Sequence, residues 1–163
     1  MSERRMAFFA RLDALGTGER AALKRAVGTM LADADGKAMT VFYRCLPSAV
    51  PEWEADRWFA VGCIHCLWNA EDDESLSMEE LVGRLITNGD LSDSTEHRIE
   101  TLIDTPWDQD GFMLTKLCRL VKLVKQKSGV KVDCAALLQD LLEWNWESQK
   151  VQRKWAIAIF AAE

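Results

Sequence analysis

Apolar residues recur every three to four positions along almost the whole 163-residue chain, and no stretch alternates convincingly between apolar and polar side chains. The first spacing places apolar side chains on one face of an α-helix, whereas alternation would indicate a strand. The sequence therefore predicts an all-α fold, a two-lobed helical bundle of about nine helices. The expected helices cover roughly 4–14, 18–33, 38–46, 52–68, 77–88, 93–104, 110–127, 133–145 and 147–161, with ends good to about 2–4 residues.

Capping residues support this division into helices. Ser77 stands three residues before Glu80, as in a capping box, and Asp133 precedes the apolar pattern CAALLQDLLEW, as an N-cap should. Glycine, proline and asparagine mark the breaks between helices. These breaks are expected at 16–18, 47–51 and 88–90.

The break near residue 90 predicts two lobes. With 48% apolar residues, the chain is large enough for one core or for two small lobes that share an interface. We expect an amino-terminal helical lobe over 1–90 and a carboxy-terminal helical bundle over 91–163.

Charge is distributed unevenly along the chain. Residues 111–131 carry six cationic side chains and no acidic one, whereas residues 47–110 carry three basic and sixteen acidic side chains. Removing those six cations from the net charge of -6 leaves -12, so the basic segment opposes the field of the rest of the molecule. The acidic run Glu71, Asp72, Asp73 and Glu74 is interpreted as a solvated loop.

On a helical wheel, the basic segment separates into two faces. Lys116, Arg119, Lys122 and Lys125 lie largely opposite a stripe of leucine and valine, and no acid stands three or four residues away to neutralise them. Two interpretations are open. The helix either docks against the acidic middle segment, or it forms a track for nucleic-acid phosphates.

The phosphate track has a plausible geometry. Cations three residues apart on a helix are separated by a rise of about 4.5 Å, within reach of successive phosphates for flexible side chains. Such contacts read charge and shape rather than base sequence. A second basic cluster lies in GERAALKRAVG, where Lys24 and Arg25 are joined by Arg20 and, further back, Arg11. Neither patch alone is specific for nucleic acid.

Signals of catalysis and of metal binding are weak. GCIHC places Cys63, His65 and Cys66 within four residues, but a zinc site needs a second pair at matching spacing. We interpret these three as buried side chains on an apolar helix. DQDG fails as a calcium loop, because its first and twelfth positions would be Pro106 and Leu117. With two histidines and no paired nucleophile, the sequence predicts no enzyme, no metal site and no cofactor.

Cysteine usage and hydropathy predict a cytoplasmic protein. Five cysteines at irregular spacing do not match a disulfide framework, so free thiols in a reducing compartment are expected. No apolar run approaches the roughly 20 residues of a membrane span, and MSERRMAFFARLD breaks into charge too early for a secretory signal. No membrane partner is expected.

Seven tryptophans are many for this length. Four fall on apolar helical faces and are predicted to lie in the core, namely Trp58, Trp68, Trp144 and Trp155. Stacking on a nucleic-acid base stays open for the other three, Trp53, Trp107 and Trp146.

Several stretches, read together, resemble a known family. They are RAALKRAVG, then VFYRCLP, then LVGRLITNGDLSDSTEHRIETLI, followed by LTKLCRLVKLV and VDCAALLQDLLEW. In their order, their spacing and the length of the chain, they resemble the CasB family, the small subunit of the type I-E CRISPR Cascade complex. The resemblance runs over most of the chain, residues 8–160.

The resemblance implies a non-catalytic, all-helical, two-lobed subunit. In the family, two copies line the inner face of an RNA-guided surveillance complex and help hold the hybrid of CRISPR RNA and target DNA. Their basic face stabilises the displaced strand of the R-loop. The implied partners are CRISPR RNA, target DNA with its displaced strand, the large and backbone subunits of Cascade, and a second copy of the chain.

The resemblance and the wheel together name nine candidate nucleic-acid-binding residues. They are Lys24, Arg25, Arg44, Arg84, Arg98, Lys116, Arg119, Lys122 and Lys125. Arg119 and the five candidates before Lys116 match basic positions of the family, and the three later lysines come from the basic helix. Family members often have two adjacent arginines where this chain has Cys118 and Arg119, so Lys116 or Lys122 is expected to supply the missing charge. Arg84 has a second interpretation, as an internal ion-pair partner.

Two other classes of protein stay open. A helical structural adaptor would use the acidic segment and exposed apolar residues for assembly, and would dock its basic helix on an acidic protein partner. A helix-turn-helix regulator would need polar base-reading side chains at the start of its recognition helix. GFMLTKLC offers mainly apolar residues there, which argues against a regulator.

Overall fold

The computed structural model describes residues 2–72 and 74–161, so that Met1, Asp73, Ala162 and Glu163 lie outside the described residues. Nine α-helices account for most of the described chain, which confirms the all-α prediction. They are α1 (Glu3–Asp13), α2 (Thr17–Arg25), α3 (Gly36–Cys45), α4 (Ala55–His65), α5 (Met78–Thr87), α6 (Asp93–Asp104), α7 (Phe112–Ser128), α8 (Cys134–Glu143) and α9 (Lys150–Phe160).

Serine and aspartate caps set where several helices begin. Ser77 accepts a hydrogen bond from the Glu80 backbone N–H, and Asp133 accepts one from Ala136, as the sequence predicts. Ser92 caps α6 in the same way. Each cap satisfies one of the backbone N–H groups that the first turn of a helix leaves without a partner.

The predicted helix over 18–33 is wrong in its second half. Helix α2 ends at Arg25, and Gly28 then adopts a left-handed backbone conformation with φ 88°. A residue of this kind ends a helix, because glycine alone takes positive φ without a steric penalty. The chain continues into a separate 3-10 turn, Leu31–Asp33. The predicted helix over 52–68 likewise starts as a 3-10 turn, Glu52–Glu54, before α4.

A small parallel strand pair joins two distant loops. Ser75–Leu76 (β1) pairs with Lys131–Val132 (β2), and the Asp133 backbone N–H donates to the Leu76 carbonyl at 2.8 Å. Two residues are too few to show an alternating pattern, so the sequence could not indicate this pairing. It ties the loop before α5 to the loop before α8.

Helices from both sides of residue 90 pack on one another. Helix α4 lies against α8, and α5 lies against both α7 and α9. Gly83 permits the close approach of α5 to α9, because a Cβ there would stand only 2.5 Å from the Ala158 carbonyl oxygen. The buried side chains form one connected cluster. The division into lobes over 1–90 and 91–163 stays a prediction.

Most tryptophans lie where the sequence predicts. Trp58, Trp68, Trp144 and Trp155 are buried, and the last two pack edge to face with ring centroids 5.2 Å apart. Trp107 is also buried and donates its indole N–H to Asp56 at 2.9 Å, so it is not open to base stacking.

The five cysteines are free thiols, as predicted, and all are buried. Within residues 2–72 and 74–161, no helix is apolar over a length that would cross a lipid bilayer.

Candidate nucleic-acid interface

Helix α7 begins at a tight turn built by the DQDG stretch. The carboxylate of Asp108 accepts hydrogen bonds from the backbone N–H groups of Asp110 and Gly111, both at 3.1 Å. Gly111 has φ 77°, a conformation that favours glycine. DQDG therefore sets where the basic helix starts.

The two faces that the wheel predicts for α7 are confirmed. Leu117, Val121 and Val124 are among seven side chains of this helix that pack into the core. On the other face, Arg119, Lys122 and Lys125 are exposed and Lys116 is half-buried. We call these four cations the basic ridge.

The basic ridge is not neutralised by the part of the chain that the structure describes. There, none of its four cations forms an ion pair, whereas Lys154 contacts both Asp140, at 2.6 Å, and Glu79, at 3.3 Å. Helix α7 packs against α5 and α6 of the acidic middle segment, but in the described ranges no carboxylate of that segment pairs with the ridge. The ridge is therefore a concentration of positive charge that no described acid compensates.

Helix α6 adds a third cation beside two members of the ridge. Arg98, Lys116 and Arg119 line one groove of about 180 Å³ between α6 and α7, whose floor is apolar. The floor is formed by Ile99, Leu102, Leu120 and Leu123. Arg98 is exposed and, in residues 2–72 and 74–161, pairs with no acid. A cationic rim over an apolar floor suits a phosphodiester backbone whose sugars or bases contact the floor.

The turn after α2 lies on the other flank of the ridge. A Cβ at Gly28 would lie 3.9 Å from the Cys118 Cβ, so this turn packs on α7. Lys24 and Arg25 occupy the last turn of α2, three or four residues earlier, and both are exposed. The fold thus places the end of α2, with Lys24 and Arg25, close to α7, whereas Arg20 of the same cluster turns inward and donates to the Trp68 carbonyl.

Cys118 cannot supply the positive charge that the family resemblance implies at this position. Its side chain is buried between α7 and the turn at Gly28, and burial raises the pKa of the thiol to about 12. The residue is neutral at physiological pH. Lys122, one turn along α7, is exposed and positioned to carry the charge instead.

Phe112 belongs to this surface, although the sequence reasoning did not select it. Its side chain is 59% exposed at the start of α7, and the Lys116 ammonium lies 5.9 Å from the ring centroid. An exposed aromatic ring beside cations is the usual platform for a nucleic-acid base. The helical wheel could have indicated this residue, because Phe112 falls on the polar face of α7, at about 20° from Arg119.

Arg44 and Arg84 stand on other helices than the basic ridge and have different surroundings. Arg44 of α3 pairs with Glu19 at 3.1 Å, and both side chains are partly exposed. Arg84 of α5 is exposed and forms no ion pair in the described ranges, which contradicts its interpretation as an internal ion-pair partner. Neither residue lines the groove between α6 and α7.

The GCIHC stretch is part of the core, as predicted. Cys63, His65 and Cys66 are buried, and the His65 imidazole meets the Asp13 carboxylate at 2.7 Å. Burial lowers the pKa of His65, although Asp13 acts in the opposite direction. Within the described residues, no three His, Cys, Asp or Glu side chains are grouped as a metal site requires.

Comparison with known proteins identifies the family. The family model for CRISPR-associated protein Cse2 matches residues 19–159. No curated protein sequence matches the chain significantly. A Cse2-family CRISPR-associated protein from Thermus thermophilus superposes with a TM-score of 0.78 at 24% identity, covering 98% of this chain and 97% of that one.

Two further solved structures agree. A structure of CasB, also from Thermus thermophilus, gives a TM-score of 0.73 at 26% identity, with 99% of this chain and 100% of that one covered. A chain of a CRISPR RNA-guided surveillance complex gives 0.72 at 23% identity, with 96% and 91% covered. The resemblance to CasB seen in the sequence is therefore confirmed, and the chain belongs to the CRISPR-associated Cse2 family.

Proposed function

We propose that this chain is the non-catalytic small subunit of a type I-E CRISPR RNA-guided surveillance (Cascade) complex in antiviral defence. It binds nucleic-acid backbone, and so stabilises the hybrid of CRISPR RNA and target DNA and the displaced non-target strand. Its protein partners are the large and backbone subunits and a second copy of itself. It works in the cytoplasm without a cofactor. Membership of the Cse2 family and the similarity to a chain of a surveillance complex support this proposal.

The observation that carries the nucleic-acid part is the unneutralised basic ridge with Arg98 beside it. In a chain of net charge -6, these cations stand together and none forms an ion pair within residues 2–72 and 74–161. A surface helix selected for stability and solubility alone would mix acids with its lysines. Retained positive charge of this kind fits a polyanionic partner.

Modest backbone contacts are enough for this function. R-loop formation exchanges a DNA duplex for an RNA–DNA hybrid of similar stability, so a few phosphate contacts tip the balance. The basic ridge and Arg98 form the main track in this proposal, and Phe112 supplies a stacking surface. Lys24 and Arg25 extend the track on the side of α2. Arg44 and Arg84, which stand on α3 and α5, contact a separate stretch of nucleic acid in this proposal.

The acidic middle segment has a different role. Its sixteen carboxylates over residues 47–110 would repel phosphate. These carboxylates therefore face solvent or a basic surface on a neighbouring subunit, whereas Arg84 and Arg98 of the same range contact nucleic acid in this proposal.

The test is target binding by the assembled complex. Charge reversal at Lys116, Arg119 and Lys122 is expected to weaken binding of target DNA while the subunit still folds and assembles. The matched control reverses three exposed cations on other helices, Arg4, Lys37 and Arg153, so that the change in net charge is the same. Unchanged affinity and salt dependence in the ridge variant would overturn the proposal. Loss of assembly rather than of DNA binding would support the structural adaptor instead.

A further inference from the structure

A second cavity lies on a different part of the surface. Its volume is about 330 Å³, and it opens between the loop after α6 and the turn that joins α8 to α9. Thr105 and Pro106 form one wall, Trp146 and Glu147 form another, and Gln152 of α9 contributes to the lining. The cavity shares no residue with the groove between α6 and α7.

Gln152 leaves a buried acceptor without a donor in this pocket. The side chain is 9% exposed, and its amide nitrogen donates to the Trp144 carbonyl. A carbonyl can only accept, so this bond fixes which end of the amide is nitrogen. The remaining atom, Oε1, is buried and has no hydrogen-bond partner among the described residues. Buried polar atoms in folded proteins nearly always have a partner, so such an atom indicates a missing donor.

The other polar groups of the pocket are of both kinds: the Trp146 indole and the Gln149 amide carry N–H donors, and the Asp104 and Glu147 carboxylates are acceptors. Asn145 uses both ends of its amide on the Trp107 backbone, at 2.9 and 2.8 Å, and the Trp144 indole N–H donates to the Thr105 carbonyl. Asp104 and Glu147 line the pocket, are exposed, and form no ion pair in the part of the chain that the structure describes. These two carboxylates give the pocket negative charge, so a complementary ligand carries positive charge and donates hydrogen bonds to them.

An aromatic face completes the pocket. The Trp146 side chain is 51% exposed, and the Lys150 ammonium lies 4.9 Å from its ring centroid. An ion pair with Glu143, at 2.9 Å, holds the Lys150 ammonium in this position beside the Trp146 ring. A second cation that is flat can stack on the exposed part of the ring.

We propose that this pocket binds an arginine side chain presented by a partner protein. A guanidinium is planar, is always charged and carries five N–H donors, which suits two carboxylates, one buried amide oxygen and an indole face. A lysine ammonium offers three donors and no plane, and a neutral amide lacks the charge. The site is independent of the nucleic-acid surface proposed above.

The test is a titration of the full-length protein with N-acetyl-L-argininamide, followed by NMR of the Trp146 indole and Gln152 side-chain amide signals. Saturable shifts in the millimolar range are expected for this probe. The lysine analogue should give weaker binding, and the uncharged citrulline analogue none. Shifts that never saturate, or that citrulline reproduces equally, would overturn the proposal.

Surface variants keep the test independent of folding. D104N/E147Q removes both carboxylates from exposed positions and should weaken binding by about tenfold. The matched control, E80Q/D90N, removes two exposed carboxylates outside the pocket and should bind as the parent does. Equal affinity in the two double variants would overturn the assignment. Free L-arginine has a charged α-ammonium and α-carboxylate where the probe has two amide groups, so tighter binding of free arginine would assign the pocket to the amino acid and overturn the assignment to a protein side chain.

Discussion

The indole N–H of Trp155 donates to the Asp140 carboxylate at 2.8 Å, and this buried hydrogen bond joins α9 to α8. Lys154 holds the other oxygen of the same carboxylate. We predict that Asp140→Leu lowers the free energy of unfolding by about 1–3 kcal/mol, because it leaves the indole N–H buried without an acceptor. Asp140→Asn keeps an acceptor for Trp155 and should cost less. Urea denaturation measures both, and an equal loss in the two variants would assign the effect to the ion pair with Lys154 instead.

Close packing of α5 on α9 depends on Gly83. A methyl group there would collide with the Ala158 backbone oxygen, so Gly83→Ala is expected to destabilise the protein by about 1–3 kcal/mol. Gly18→Ala is the control, since no atom lies within 4 Å of a Cβ at that helical position. It should leave stability unchanged or raise it by about 0.4–1 kcal/mol. Thermal unfolding of both variants checks this pair, and a Gly83→Ala protein as stable as the parent would contradict direct contact between the two helices.

His65 makes stability depend on pH. Burial lowers the pKa of His65 in the folded state, so the unfolded chain binds the proton more readily. Stability from this source is therefore present above the ordinary histidine pKa of about 6.5 and is lost as the pH falls below it. We expect the unfolding free energy to fall between pH 7.5 and pH 5.5, by less in His65→Gln than in the parent. The exposed His97 of α6 provides the matched control, and an equal effect of His97→Gln and His65→Gln on the pH dependence would contradict a special role for the buried His65.

We expect the basic ridge to contribute to the salt dependence of binding to single-stranded DNA. Removing three phosphate contacts lowers the slope of log K against log salt by about 2, since each contact to a single strand contributes about 0.7. The measurement is fluorescence anisotropy of labelled single-stranded DNA with K116Q/R119Q/K122Q and the parent protein at several salt concentrations. Full retention of the slope would mean that phosphates bind elsewhere on the chain.

Phe112 provides a separate test of base stacking. Because its side chain is largely exposed, Phe112→Ala should leave the unfolding free energy unchanged within about 0.5 kcal/mol. Loss of one stacked base should weaken single-strand binding by about 1–3 kcal/mol, without a change in salt slope. Phe160, an exposed aromatic residue on α9, gives the matched control. Equal effects of Phe112→Ala and Phe160→Ala would contradict a specific stacking surface at the start of α7.

The features that could be predicted from the sequence are local. Helical periodicity predicts the nine helices, caps such as Ser77 and Asp133 predict where helices begin, and the run from Lys116 to Lys125 predicts one cationic face. These features depend on neighbours three or four positions away, so they can be read from one segment at a time. The early end of α2 was missed because Gly28 lies within an apolar pattern that otherwise continues.

Contacts between residues far apart in the sequence depend on how the helices pack. Packing of α6 on α7 brings Arg98 beside Lys116, and the turn at Gly28 brings the α2 cations towards the ridge. Burial of Trp107 likewise follows from its contact with Asp56, 51 positions away. Such juxtapositions arise from the mutual packing of helices around one core, and no short stretch of sequence encodes them alone.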